Sequence, residues 1–260
     1  MISPAGVAAC RFLEWDSKFF GCRIARLHES RLNEDALAQS LGWCRKERID
    51  CLYFLADPDP VTVTLAEAAG FHLVDVRVTL ETDPRDGLPP PDETPIRPWM
   101  PADIGRLRSI AAASHLGSRF YRDGHFPVER CDELYSTWIE RSCRADATQV
   151  FVAEFAQQVV GYISCHAPIH GVTSDGNIGL LGVAADARNL GFGRNLLLHA
   201  LAWFRNRGIS SVTVVTQGQN VAAQRLYQKA GFTIRSRQLW YHYWPARGRL
   251  AEGSPDGRDH

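Results

Sequence analysis

The residues best suited to chemistry lie in the run LLGVAADARNLGFGRNLLLHAL, residues 180–201. An apolar strand ends at Val183, a short turn follows, and Arg188-x-x-Gly191-x-Gly193 opens a long amphipathic helix. Glycines at a helix mouth let the backbone approach a ligand closely and take conformations barred to other residues. The free amides of the first helical turn then converge on one spot, where the helix dipole favours negative charge. The chemistry this suits is the binding of a diphosphate, with Arg188 and Arg194 adding charge. Glycines before a helix also serve turn geometry alone. There is no Gly-Lys-Ser/Thr and no GxGxxG after a first strand, which excludes a nucleoside triphosphatase loop and a dinucleotide fold.

Other chemical groups are more scattered. Asn220 and Tyr227 are seven apart, which puts them on one face of a helix at nearly two turns. Asn220 is also a good helix N-cap, and the two uses are compatible. Arg119 and Arg122 lie on a predicted loop, where arginine forks suit a phosphate and are equally at home in solvent. His166 and His170 are four apart, but Pro168 between them spoils the helix a metal pair would need. No Ser-His-Asp or Cys-His arrangement is legible, and no metal is expected.

The elements that must position these groups follow from periodicity and turn signals. CRIARL (22–27) reads as a strand, NEDALAQSLGWCRKER (33–48) as an amphipathic helix, CLYFLA (51–56) as a strand, VTVTLAEAA (61–69) as a helix and FHLVDVRVTLE (71–81) as a strand. Gly70 suits a left-handed C-cap. The run ETDPRDGLPPPDETP (81–95) holds five prolines, which remove donors and restrict their neighbours, so it reads as a linker. Beyond it come a strand at IRPWM, a helix at PADIGRLRSIAAAS and a helix at CDELYSTWIERSC. A hairpin turning near Ala156-Gln157, the strand NIGLLGVA and the helix GFGRNLLLHALAWFRNRG follow. The strand SSVTVVTQ, the helix NVAAQRLYQKAG and the closing strand FTIRSRQLWYHYW complete the pattern. The expected organisation is a small α/β domain over 1–82, a linker over 83–95, a second domain over 96–244 and a frayed tail over 245–260.

Composition narrows the function classes. The 260 residues are 45% hydrophobic and 22% charged, which is ordinary for a globular protein. Lys+Arg 29 balances Asp+Glu 29, whereas a nucleic-acid surface normally needs a basic excess. The seven cysteines are odd in number and have no CxxC spacing, so reduced thiols are expected rather than disulfides or structural zinc. No apolar run approaches the roughly 20 residues that span a bilayer, and MISPAGVAACRFLEWD does not look like a signal peptide. A cytoplasmic protein with no nucleic-acid or membrane partner is the expectation.

In the motif between strand and helix, in Asn220 with AAQRLYQKAGF, and in the opening IRPWMPADIGRL, the chain resembles the GNAT superfamily of N-acetyltransferases over about residues 95–244. WDSKFFG (15–21), AGFHLVD (69–75), SRFYRD (118–123) and LYSTWIERS (134–142) are similar to the branch that N-acetylates dTDP-4-amino-4,6-dideoxygalactose (dTDP-fucosamine) for surface glycans. Members of that branch also carry a small domain before the GNAT domain.

The resemblance implies an α/β (α+β) fold with a central mixed, splayed sheet, preceded by a smaller α/β domain. It implies acetyl-CoA as cosubstrate, held by Leu181, Gly182, Val183, Arg188, Asn189, Gly191, Phe192, Gly193, Arg194 and Asn220. Backbone groups of Leu181 and Val183 would meet the pantetheine and thioester. Tyr227 occupies the family's acid position, where a phenol near about 10 can protonate a sulfur whose thiol titrates near about 8.5. Asp75 aligns with the acidic residue that serves as base in the sugar enzymes, with Asp123 in reserve. Arg119, Arg122 and Asp123 would contact an amino-sugar nucleotide bound between the domains. A homodimer, a GNAT acting on another small-molecule or peptide amine, and a catalytically silent CoA-binding module remain open alternatives. Trp99, Trp138, Trp203 and Trp240 are expected to serve packing.

Overall fold

A computed structural model of the chain describes residues 10–85, 94–146, 148–167 and 175–245. Most of the Pro-rich linker, the tail beyond 245, and Pro168 with His170 lie outside the described residues. Two compact units are present. One comprises residues up to Leu73 together with those from Trp240, and the other is Val74–Leu239.

The first unit contains β1 (Cys10–Phe12), α1 (Glu14–Phe20), β2 (Ile24–Leu27), α2 (Glu34–Lys46), β3 (Cys51–Ala56), α3 (Pro60–Ala68) and the start of β4 (His72–Thr82). Strands β2 and β3 are parallel with α2 as the crossover, and β1 adds antiparallel to β2. Every residue of β3 is buried, as its unbroken apolar run requires of a strand covered on both faces. Asn33 caps α2 through Ala36 N (2.8 Å), Asp59 caps α3 through Thr62 N (3.0 Å), and Gly70 takes φ +86° just beyond α3.

The second unit continues with β5 (Ile96–Pro98), α4 (Ile104–Ser114), α5 (Arg119–Asp123), α6 (Val128–Arg144), β6 (Thr148–Phe155), β7 (Gln158–His166), β8 (Asp175–Val183), α7 (Phe192–Asn206), β9 (Ser211–Gln217), α8 (Val221–Lys229) and β10 (Thr233–Tyr243). Its strands run in the order β4-β9-β8-β7-β6-β5. Only β8 and β9 are parallel among these pairs, joined through α7, so the sheet is mixed. The β6–β7 hairpin turns at Ala156 and Gln157, both at positive φ. Leu196, Leu197, Leu201 and Phe204 on α7 are fully buried, as are Leu134 and Ile139 on α6.

Three elements went unread in the sequence: β1, α1 and α5, each of seven residues or fewer and too short to show a period. Arg119 and Arg122 therefore stand on a short helix rather than a loop. The units divide at 73/74, inside β4. Residues 77–82 of β4 pair with β9, which draws them into the second unit. The chain from Trp240 returns to the first unit through aromatic contacts, Phe54–Tyr241 at 6.2 Å and Phe71–Tyr243 at 4.9 Å between ring centroids.

The feature that creates a site is the parting of β8 from β9. Their parallel pairing runs from Asp175↔Ser211 to Ile178↔Val214 and stops, although β8 continues to Val183 and β9 to Gln217. The parting begins at a bulge, where Gly179 and Leu180 of β8 oppose the single residue Ser164 of β7. Ser164 Oγ accepts from Leu180 N at 2.8 Å and holds the bulge in place. A bulge bends its strand and increases local twist. Gly179 is required there, because a Cβ would stand 2.7 Å from His166 Nε2 and 2.8 Å from Ser164 Oγ.

Candidate active site

A cavity of about 640 Å3 occupies the gap between the parted strands. Gly179–Val183 of β8 form one wall and Val215–Gln217 of β9 the other. The mouth of α7 and the first turns of α8 close its ends, and His115, Tyr135 and Trp138 contribute from α4's end and α6. Leu181, Gly182, Val183, Arg188, Asn189, Gly191, Phe192, Gly193, Arg194, Asn220 and Tyr227 all line it. Residues as far apart in sequence as His115 and Tyr227 thus meet around one space. Asp75, Arg119, Arg122 and Asp123 are not among its lining residues.

The helix mouth has the geometry the glycines suggested. Gly191 is the N-cap of α7 at φ +89° and makes no side-chain cap, while Asn189 is left-handed at φ +63°. The first intrahelical bond across this turn is Asn195 N to Gly191 O (3.1 Å), so the amides of Phe192, Gly193 and Arg194 have no intrahelical acceptor. All three residues line the cavity, and an anionic group there would meet first-turn amides and the positive end of the dipole. Arg188 has a structural task as well. Its guanidinium donates to Val183 O (3.3 Å) and Ala113 O (3.2 Å), tying the loop to β8 and to the end of α4.

Asn220 caps α8, its Oδ1 accepting from Ala223 N at 3.1 Å, and it lines the cavity at the same time. Tyr227, two turns along α8, is 5% exposed, with the Phe232 ring 5.6 Å away. Burial pushes its phenol well above the ordinary tyrosine range, so it stays a protonated donor. The short spacing of Gly182 to Tyr162 is a second close approach, since a Cβ on Gly182 would lie 2.8 Å from the Tyr162 ring. Tyr162 Oη in turn stands 3.4 Å from His115 Nε2, and the His115 ring stacks on Tyr135 at 4.3 Å. Burial, reinforced by Arg188, presses His115 down to about 4, which keeps it neutral near pH 7.

Asp75 lies on β4 and is 6% exposed. Burial raises its carboxyl to about 6, opposed by the hydrogen bond from Val76 N (2.8 Å) and by the charges of Arg122 and Arg119. It also acts electrostatically on Tyr135, a cavity-wall residue. That environment poises the Asp75 carboxyl close to neutrality. Asp123 Oδ1 accepts from His125 Nδ1 at 2.7 Å.

His115, Tyr135 and Gln217 went unsingled in the sequence, and Trp138 was assigned to packing. Trp138 does pack edge-on to Tyr135 (5.1 Å) and Phe120 (6.1 Å), and it also lines the cavity. Tyr135 and Trp138 are three apart on α6, a spacing that reads as a core stripe, and His115 follows a helix end. Nothing in their local sequence distinguishes them from packing residues. Among the described residues no cluster of His, Cys, Asp and Glu could hold a metal ion, and no helix is long and apolar enough to cross a membrane.

Comparison with known proteins bears directly on this site. Residues 114–232, which span the cavity walls and both helix mouths, match the Acetyltransferase (GNAT) family. The chain is similar to dTDP-fucosamine acetyltransferase of Escherichia coli, 28% identical over 88% of this chain and 96% of that protein. It is also similar to the spore coat polysaccharide biosynthesis protein SpsD of Bacillus subtilis, 27% identical over 60% of this chain, an alignment spanning only 54% of that relative. In fold it resembles a GCN5-related N-acetyltransferase from Sphaerobacter thermophilus, with a TM-score of 0.63 at 16% identity, covering 90% of this chain and 76% of the other. Residues 114–232 thus form a domain that matches the GNAT acetyltransferases.

Proposed function

We propose that the chain is an acetyl-CoA-dependent N-acetyltransferase acting on the amine of a nucleotide-linked amino sugar, of the dTDP-4-amino-4,6-dideoxyhexose type, by direct transfer in a ternary complex. The observation that carries the substrate class is the similarity to dTDP-fucosamine acetyltransferase across 88% of this chain, both compact units included. A match confined to the GNAT motif would support acetyl transfer alone.

The residues present fit acetyl-CoA, because the α7 mouth turns amides without an intrahelical acceptor toward the cavity and the parted strands offer a slot for an extended arm. When bound, acetyl-CoA supplies the acetyl group as a thioester. Phe192, Gly193, Arg194 and Asn220 hold the diphosphate and pantetheine in this proposal, and Arg188 fixes the loop. Backbone groups of Leu181 and Val183, beyond the end of the β8–β9 ladder, orient the acyl group. Preorganised donors of this kind are worth roughly 2.7–4 kcal/mol in other enzymes. Tyr227 donates a proton to the departing sulfur. Its hydroxyl makes no hydrogen bond to a described protein group, so it is available to a ligand. Asp75 takes the proton of the acceptor ammonium, through water, because an ammonium has no lone pair with which to attack.

A thiol-release screen with acetyl-CoA tests this. The panel comprises dTDP- and UDP-linked amino sugars, simple amines and peptide N-termini. Highest kcat/KM with a dTDP-linked 4-amino sugar is expected. Turnover confined to peptides or unphosphorylated amines refutes the substrate class, and acetyl-CoA binding without release for any amine refutes transfer.

A further inference from the structure

Beside Asp75 lies a group of cations that the acetyl-transfer steps do not use. Arg77 follows Asp75 by two residues on β4, so both side chains stand on one face of the strand. Its cross-strand partner is Gln217, a cavity-wall residue. The Arg77 guanidinium makes no hydrogen bond or ion pair with the described residues, and its Nε is buried. Burial and the neighbouring charge of Arg119 both press its pKa down. Arg119 and Arg122 come from α5 and act on Asp75 as well. Ser118, 2% exposed and next to Tyr135, has a buried Oγ that also lacks a hydrogen bond of good geometry.

A half-buried guanidinium whose Nε is buried without an acceptor bears a desolvation cost that an anion would offset. Among the described residues no carboxylate pairs with Arg77. Asp75 makes no ion pair with Arg77, its hydrogen bond being from its neighbour's amide, and Asp132 accepts from Tyr121 Oη at 2.6 Å. Arg77 Nε and Ser118 Oγ thus each stand buried without a hydrogen bond among the described residues, beside the cavity-wall residues Gln217 and Tyr135.

We propose that Arg77, Arg119, Arg122 and Ser118 form a phosphate-binding subsite that anchors the acceptor by its diphosphate, distinct from the diphosphate site at the mouth of α7. It rests on the acceptor being a sugar nucleotide and assigns that substrate's phosphates to specific residues. Guanidinium forks match phosphate oxygens bidentately, and such contacts set position as well as affinity. Anchoring here would leave the sugar amine to reach between Asp75 and the cavity.

The test is calorimetry of the full chain with dTDP, and separately with inorganic pyrophosphate, in saturating CoA so that the α7 site is filled. The intact protein is expected to bind dTDP, with pyrophosphate competing. Arg77→Gln should weaken dTDP binding about tenfold or more, Arg122→Gln several-fold, and Arg77→Lys less than Arg77→Gln because charge survives without the fork. Acetyl-CoA affinity should stay within about twofold in each, which also certifies folding. Arg122 is exposed, so its variant carries the test even if Arg77→Gln folds poorly. Unchanged dTDP affinity in both glutamine variants, or no dTDP binding by the intact protein, overturns the subsite. The two proposals fail separately. An Arg77-dependent dTDP site with no turnover of any amino-sugar nucleotide keeps the subsite and removes the proposed reaction. Turnover of such a sugar with KM unaltered by both variants does the reverse.

Discussion

Asp75→Asn is the most informative single change, because the burial that suits Asp75 to proton transfer also burdens the fold. Its carboxyl is raised from an ordinary value of 3.8 to about 6. The folded state therefore holds the proton more tightly than the unfolded chain does. Below about pH 4 the group is protonated in both states and contributes no pH-dependent penalty. As pH rises through about 6 the folded state must accept a buried charge, and that cost reaches about 3 kcal/mol once ionisation is complete. Asparagine removes the charge and keeps the oxygen that accepts from Val76 N at 2.8 Å. With only 6% exposure there is little solvent screening to shrink the effect. Urea unfolding of both proteins from about pH 4 to about pH 8 reads the difference in stability. Asp75→Asn should gain on the parent as pH rises and plateau above about pH 7, while its turnover falls by roughly two orders of magnitude. A stability difference that does not change with pH would show that Asp75 is not burdened by burial. Undiminished turnover would remove it from proton transfer.

Other expectations follow from the same geometry. Tyr227→Phe should lower kcat by about 100-fold or more with acetyl-CoA affinity nearly unchanged, and equal losses in both would mean that the phenol only packs. Turnover of the parent protein should rise with pH through about 6, as Asp75 ionises, and a rate profile flat across that range counts against the base assignment. Gly179→Ala should cost about 1–3 kcal/mol of stability and weaken acetyl-CoA binding, since the new Cβ collides with His166 and Ser164 at the bulge that parts the strands. Gly191→Ala should weaken acetyl-CoA binding about tenfold through strain of roughly 1–2 kcal/mol at its left-handed backbone, and wild-type affinity would show that the turn at φ +89° is dispensable.

The local parts of this protein were legible in its sequence. The strand–glycine–helix motif at Val183–Gly193, the N-cap Asn220, the left-handed Gly70 and the turn at Ala156–Gln157 all act within a few residues of chain, where backbone sterics and capping decide the outcome. The seven-residue spacing of Asn220 and Tyr227 likewise placed both on one helix face. What only the tertiary structure decided is which distant residues share a space. The parting of β8 and β9 depends on a bulge opposite Ser164, and a two-against-one register cannot be read from alternation on one strand. His115, Tyr135 and Trp138 look like core residues by periodicity, because a cavity wall and a core wall demand the same apolar spacing. Arg77 is an ordinary strand cation until the fold buries its Nε beside Arg119 without a partner. Burial and long-range charge set the behaviour of Asp75 as well, and neither is a property of the residues beside it in the chain.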